Sequence, residues 1–90
     1  MIERMQRIIV DADACPQRVR QIAMEIARKY GWEVVTVASF HHRMEGGHRH
    51  IIAGDEAQAV DLVILNLLKK SDIVITQDWG LAALVLGKGG

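Results

Sequence analysis

The segment at residues 7–16 constrains the fold more than any other part of the sequence. An uninterrupted apolar run at 8–10 ends on two carboxylates, Asp11 and Asp13, and is followed by Pro16, which suits the first position of a helix. Continuous apolar strands are typical of parallel sheets that are covered on both faces. The carboxyl ends of such strands form the edge where open α/β proteins bind ligands. The segment therefore predicts a parallel sheet with acidic side chains at its ligand-binding edge.

The pattern of the whole chain predicts alternating strands and helices. Strands are predicted at 7–11, 33–38, 72–76 and, more briefly, near 49–52. A first helix is predicted up to Gly31, with its buried stripe at Val19, Ile22, Ala23, Ile26, Ala27 and Tyr30. A second helix is predicted to open at 54–56, where Asp55 and Gln58 match a capping box. Its stripe is Val60, Val63, Ile64, Leu67 and Leu68, and a last helix follows at 79–86.

These elements fit a single α/β domain over residues 1–90. We expect three layers, with a parallel or mostly parallel sheet of about four strands flanked by helices. Residues 39–50 contain two adjacent glycines and few apolar residues, which predicts a mobile loop. The 11 basic residues balance the 11 acidic ones, so no global field attracts nucleic acid.

Composition favours a cytoplasmic protein without a membrane segment. No apolar run approaches the roughly 20 residues that span a bilayer. Cys15 is the only cysteine, so no disulfide forms within the chain, as is usual in a reducing compartment. We interpret Cys15 as a small buried residue rather than a reactive thiol.

Four aspartates are the candidate site residues: Asp11, Asp13, Asp61 and Asp78. Asp11 and Asp78 follow strands at the same edge, and Asp61 lies between apolar residues of the second helix. Asp13 and Asp78 also have a simpler interpretation as helix caps, while Asp72 lies at the opposite edge and is expected to be structural. Crowded carboxylates repel one another unless a cation joins them, and hard oxygen ligands select Mg²⁺ or Mn²⁺. The predicted chemistry is metal-assisted phosphodiester hydrolysis, with Thr76 as a supporting contact.

The motifs at 10–16, 56–62 and 72–83 resemble the YaiI/YqxD family of uncharacterised bacterial proteins. This resemblance spans nearly the whole chain and implies a fold similar to PIN-like nuclease domains with a divalent-metal site. Carried over by position, Asp11, Asp61 and Asp78 would be catalytic, with Asp13 adjacent. Members of the family continue into a further C-terminal part that this sequence lacks, so we expect an exposed edge that favours a homodimer.

Because the net charge is balanced, RNA binding would need a local patch of basic residues. Arg18, Arg43 and Arg49 are candidate nucleic-acid contacts. Four histidines, His41, His42, His48 and His50, share the predicted loop with two of these arginines. We interpret that stretch as a solvated, flexible loop rather than a zinc site.

Two other functions are compatible with the same motifs. In a phosphoryl-transfer enzyme of the haloacid dehalogenase type, Asp11 would be the nucleophile, Asp13 the general acid, and Ser39 a phosphate ligand. That reaction also needs a positioned lysine, for which the sequence offers no convincing candidate. The third alternative is a non-catalytic binding or assembly module on the same scaffold.

Overall fold

The computed structural model describes residues 6–39, 48–56 and 58–88, which form a four-stranded sheet flanked by helices. The strands are β1 (Arg7–Asp11), β2 (Glu33–Ala38), β3 (Arg49–Ile52) and β4 (Ile73–Ile75). Their spatial order is β3-β2-β1-β4, and each neighbouring pair is parallel. The helices are α1 (Gln17–Tyr30), α2 (Ala59–Leu67) and α3 (Trp79–Gly87), and a short 3₁₀ turn (Ala12–Ala14) links β1 to α1. The predicted α/β fold with a parallel sheet is confirmed.

The two faces of the sheet carry separate apolar clusters, which gives the domain three layers. Alternate residues of a strand point to opposite faces. The cluster beneath α2 and α3 contains Ile9, Val35, Val37, Ile64, Leu81 and Val85. The cluster beneath α1 contains Ile8, Val10, Cys15, Ala27 and Val34. Cys15 is therefore the buried residue that its sequence context predicted, and burial raises the pKa of its thiol.

Helix α1 packs on the sheet through a narrower face than its sequence predicted. Only Ala23 and Ala27 of the helix are buried. The larger members of the predicted stripe, namely Val19, Ile22, Ile26 and Tyr30, are between 40% and 59% exposed. The helix and the burial of Ala23 and Ala27 were predicted correctly, but burial of the four larger residues was not, because the small alanine side chains let the helix backbone approach the sheet and leave the larger residues on the flank.

Both ends of α1 lie close to their predicted positions. Pro16 occupies the N-cap, one residue before the first helical turn. At the other end, Gly31 adopts a left-handed conformation with φ of 71°, and its N–H donates to the carbonyl of Ala27. This is the conformation that glycine adopts without steric cost at a helix C-terminus.

The predicted start of α2 is wrong. The helix begins at Ala59, and Gln58 precedes it in a left-handed conformation with φ of 64° and no side-chain cap. Gly54 also has a positive φ, of 102°. Because the backbone is non-helical at both positions, Asp55 and Gln58 do not form the predicted capping box.

A buried ion pair joins β1 to the approach to β4 at the amino edge of the sheet. Arg7 and Asp72 are both buried. The Nε and Nη2 atoms of Arg7 lie 3.1 and 2.5 Å from Oδ2 of Asp72, and Nη2 also donates to the carbonyl of Leu67 at 2.6 Å. Oδ2 of Asp72 further accepts the N–H of Lys69 at 2.8 Å. The structural role predicted for Asp72 is confirmed.

Among the described residues, no helix has both the length and the apolar character needed to cross a lipid bilayer.

Candidate functional site

Asp11 ends β1 with its side chain buried at the carboxyl edge of the sheet. The residue is 4% exposed, and the hydroxyl of Thr76 donates to its Oδ2 at 2.7 Å. The same hydroxyl oxygen accepts the backbone N–H of Asp78 at 3.0 Å. Thr76 therefore links the carboxylate at the end of β1 to the segment between β4 and α3.

Asp78 caps α3, as its simpler interpretation predicted. Its Oδ1 accepts the N–H groups of Gly80 at 2.9 Å and Leu81 at 3.2 Å. These bonds satisfy two amides that the first turn of a helix leaves without partners. They use one carboxylate oxygen, so capping leaves Oδ2 of Asp78 for another contact at the same edge.

Asp13 lies on the 3₁₀ turn that follows β1. Its Oδ2 accepts the backbone N–H of Ser39 at 2.7 Å. The N-cap position of α1 is Pro16, which provides no side-chain hydrogen bond. The contact with Ser39 ties the end of β1 to the end of β2 at the edge where Asp11 lies.

Asp61 lies in the first turn of α2 rather than in the helix interior, because the helix begins later than predicted. A negative charge is favoured there by the helix dipole. Its position therefore has a structural explanation that the sequence analysis had discounted. Asp61 is nevertheless only partly exposed, and burial together with the charge on Asp78 raises the pKa of its carboxyl.

The four aspartates influence one another electrostatically. Burial is the largest cause that raises the pKa of Asp11, and the hydrogen bond from Thr76 opposes it. The negative charges of Asp61, Asp13 and Asp78 raise the pKa of Asp11 further. Four carboxylates from β1, the 3₁₀ turn, α2 and the start of α3 thus share one edge of the sheet.

These carboxylates are not arranged as a finished coordination site. Within residues 6–39, 48–56 and 58–88, no three Asp, Glu, His or Cys side chains are close enough to hold one metal ion. The donor set consists of hard oxygen atoms, which is the chemistry that Mg²⁺ and Mn²⁺ prefer. The donors fit such an ion in type, and their side chains would have to move together to coordinate it.

The candidate RNA contacts are divided between opposite edges of the sheet. Arg18 is exposed in the first turn of α1, which starts from the carboxyl edge where Asp11 lies. Arg49 opens β3 and therefore lies at the amino edge, away from the aspartates. Arg43, together with His41 and His42, lies outside the described residues.

His48 and His50 are half-buried and form a polar cluster with Thr36, so their interpretation as part of a solvated loop is wrong. Thr36 is fully buried, and its Oγ1 lies 3.0 Å from Nε2 of His48 and 2.5 Å from Nδ1 of His50. A hydroxyl has one proton to donate, so one imidazole nitrogen accepts it while the other donates its own. The sequence signal was the alternation of two histidines at the start of a strand, which directs both to the same face.

The Thr36 cluster predicts a stability that falls at mildly acidic pH. Burial, followed by the charge of Arg20, lowers the pKa of His48 below its ordinary 6.5. Because the unfolded chain then binds the proton more readily, the free energy of unfolding decreases as pH falls through 6.5 towards that lowered pKa. His48 lines a surface cleft together with three charged residues, Arg28, Glu33 and Arg49.

We expect the wild type to lose more stability than His48→Gln between about pH 7.5 and about pH 5.5, since glutamine carries no titrating group. Denaturant unfolding of both proteins at the two pH values measures the difference. Equal losses would show that His48 does not titrate in this way.

A sequence profile of the uncharacterised YaiI/YqxD family matches residues 9–90. The chain belongs to this family. The similar proteins include a UPF0178 protein of Clostridium tetani, 48% identical over 84 residues, and one of Heliobacterium modesticaldum, 42% identical over 83 residues. Each alignment covers 92% of this chain and 56% of the relative.

A UPF0178 protein of Listeria monocytogenes is 40% identical over 90 residues, which is 98% of this chain and 59% of that protein. The chain thus spans a little more than half the length of these UPF0178 proteins. No solved structure matches it. The family assignment confirms the resemblance noted in the sequence.

Proposed function

We propose that this YaiI/YqxD domain holds Mg²⁺ or Mn²⁺ at the carboxyl edge of its sheet and hydrolyses RNA phosphodiester bonds, as a PIN-like nuclease. The observation that carries the proposal is the environment of Asp11. This carboxylate is buried, and three other carboxylates raise its pKa. Such crowding is unfavourable without a cation and is relieved by one. The parallel sheet supplies the edge at which α/β proteins bind ligands.

The residues would divide the work according to their positions. Asp11, Asp61 and Asp78 would hold the ion, with Asp13 bound to it through water. When bound, the ion would activate a water molecule and neutralise charge on the phosphodiester. Thr76 would hold the Asp11 carboxylate in place by the hydrogen bond to Oδ2. Arg18, exposed at the same edge, would contact an RNA phosphate.

RNA cleavage is proposed for the protein as a whole. The relatives are longer than this chain, so the residues beyond the aligned part could contribute to substrate binding. An RNA substrate, a homodimer and a cytoplasmic location are parts of the proposal that concern the whole protein. Metal binding depends on the four aspartates, which this chain contains, so it can be measured directly on the 90-residue chain.

Phosphoryl transfer of the haloacid dehalogenase type is less well supported. It needs a lysine near the nucleophile Asp11. The four lysines of the chain are Lys29, Lys69, Lys70 and Lys88. Lys29 lies in the last turn of α1, Lys69 and Lys70 lie between α2 and β4, and Lys88 follows α3, so all four lie towards the amino edge. A non-catalytic assembly module is favoured by one observation, the exposed apolar flank of α1.

Metal binding is tested by titrating Mn²⁺ into the 90-residue chain and following the free ion by electron paramagnetic resonance. We expect saturable binding that Mg²⁺ displaces. A single-stranded RNA labelled at one end is then incubated with the protein in Mn²⁺ and in chelator, and we expect cleavage only with the ion. A chain that binds no Mn²⁺ at any concentration compatible with its fold would overturn the proposal. Binding without cleavage would favour the assembly module.

Thr76 provides a sharper test because it contacts Asp11 without being a ligand. Removing the hydroxyl in Thr76→Val frees the Asp11 carboxylate and the N–H of Asp78 from their shared partner. We expect the affinity for Mn²⁺ to fall about tenfold or more, as is typical when the residue that orients a metal ligand is replaced. Thr76→Ser keeps the hydroxyl and should keep the affinity. Equal loss in both variants would indicate a packing effect instead.

A further inference from the structure

We propose that the cleft between α1 and the starts of β2 and β3 binds a nucleoside monophosphate. The cleft has a volume of about 440 Å³. It lies at the amino edge of the sheet, because the last turns of α1 and the first residues of both strands line it. The four aspartates occupy the opposite edge, so this site is separate from the proposed metal centre and does not depend on it.

The apolar part of the cleft wall suits a flat ring. Met24 and Ala27 contribute from α1, while Trp32 and Val34 contribute from the turn after α1 and from β2. The indole of Trp32 is held by stacking on Tyr30, with ring centroids 5.4 Å apart. An apolar wall that carries an aromatic side chain supported by a second ring is the kind of surface on which a nucleobase stacks.

The rim of the cleft is basic and suits a phosphate. Arg28 and Arg49 are both exposed, and neither forms an ion pair within the part of the chain that the structure describes. Two guanidinium groups on one rim form the charge-assisted, planar hydrogen bonds that phosphate oxygens accept. Arg49, which lies at this edge and away from the aspartates, would then bind the phosphate of the nucleotide.

Two further groups distinguish a nucleotide from a simple anion. Glu33 also lines the cleft, and its carboxylate repels a plain anion but accepts a hydrogen bond from a ribose hydroxyl or an exocyclic amine. His48 lines the cleft as well, and its buried Nδ1 has no hydrogen-bond partner among the described residues. A buried polar atom of this kind is stabilised when a ligand or water supplies the missing bond.

The experiment is a calorimetric titration of the 90-residue chain with adenosine monophosphate, without divalent metal. We expect saturable binding with a Kd below about 1 mM. Arg28→Gln and Arg49→Gln should each weaken binding about tenfold or more, since each removes a charge-assisted hydrogen bond. Lys70→Gln removes one positive charge away from the cleft and should leave the Kd unchanged. The arginines are exposed, so their replacement should leave the fold intact, which circular dichroism checks.

Inorganic phosphate and adenosine are titrated in parallel to separate the contributions of the rim and the walls. We expect each to bind at least about tenfold more weakly than the monophosphate. Phosphate that binds as tightly as the nucleotide would reduce the cleft to a simple anion site and overturn the proposal. A Kd that neither arginine variant changes would also overturn the proposal. The absence of saturation at about 10 mM nucleotide would overturn it as well. The outcome is independent of whether the chain binds Mn²⁺.

Discussion

Asp72→Ala is expected to lower the free energy of unfolding by about 3–5 kcal/mol, the usual result of removing one partner of a buried ion pair. The variant leaves Arg7 buried with only the carbonyl of Leu67 as an acceptor among its observed contacts. It also removes the acceptor for the N–H of Lys69. A domain of this size is stable by about 5–15 kcal/mol in total, so the loss is a large share of its stability. Urea unfolding followed by circular dichroism measures it.

Two controls distinguish the effect of losing the ion pair from the effect of losing an aspartate side chain. Asp55→Ala removes an exposed aspartate and should change stability by less than about 0.5 kcal/mol. The double variant Arg7→Leu with Asp72→Ala removes both charges and should recover much of the loss, because no uncompensated charge then remains buried. A double variant as unstable as Asp72→Ala alone would show that the cost comes from packing or from the Lys69 amide.

The two central strands were predictable because burial on both faces leaves an unambiguous signal. The bounds of β1 and β2 agree with the apolar runs of the sequence, whereas the edge strand β3 is only partly buried and was predicted more briefly. The helix α1 was also predictable as an element, but the exposure of its four larger apolar residues was not. A stripe of mixed small and large apolar residues fits two orientations that differ by a small rotation. The closer approach that Ala23 and Ala27 permit decides between them, and only the packed sheet shows it.

The edge that carries the aspartates was predictable from the topology, but their local contacts were not. Asp11 and Asp78 follow parallel strands and must reach the same edge. The sequence could not show that Asp13 binds the amide of Ser39, since that contact joins segments 26 residues apart. Nor could it show the cleft at the amino edge, whose walls come from one helix and two strands. The histidine cluster around Thr36 was missed because the composition of residues 39–50 is typical of a loop, and the short strand predicted near 49–52 did not show which residue its histidines would contact.

Asp11→Asn is expected to have opposite effects on metal binding and on stability without metal. The asparagine oxygen can still accept the hydrogen bond from Thr76, so the local structure should be kept. The variant lacks the charge that burial and three neighbouring carboxylates disfavour. We therefore expect it to be more stable than the wild type at neutral pH in chelator, and to have lost its affinity for Mn²⁺.

The sign of the pH dependence follows from the raised pKa of Asp11. The folded protein binds the proton of this carboxyl more tightly than the unfolded chain does. The free energy of unfolding of the wild type therefore decreases as pH rises from about 4, where the unfolded carboxyl titrates, through the raised pKa. The stability advantage of Asp11→Asn should be present at neutral pH and disappear near about pH 4.

Thermal unfolding with and without Mn²⁺ tests both effects of Asp11→Asn together. An ion that binds only the folded state stabilises it. We expect Mn²⁺ to raise the midpoint of the wild type and to leave that of Asp11→Asn unchanged. Asp55→Asn is the matched control, since Asp55 is exposed and does not contribute to the raised pKa of Asp11. It should respond to Mn²⁺ as the wild type does. If Asp11→Asn kept the wild-type response to Mn²⁺, the ion would bind elsewhere, because the carboxylate at the centre of the cluster would then be dispensable for holding it.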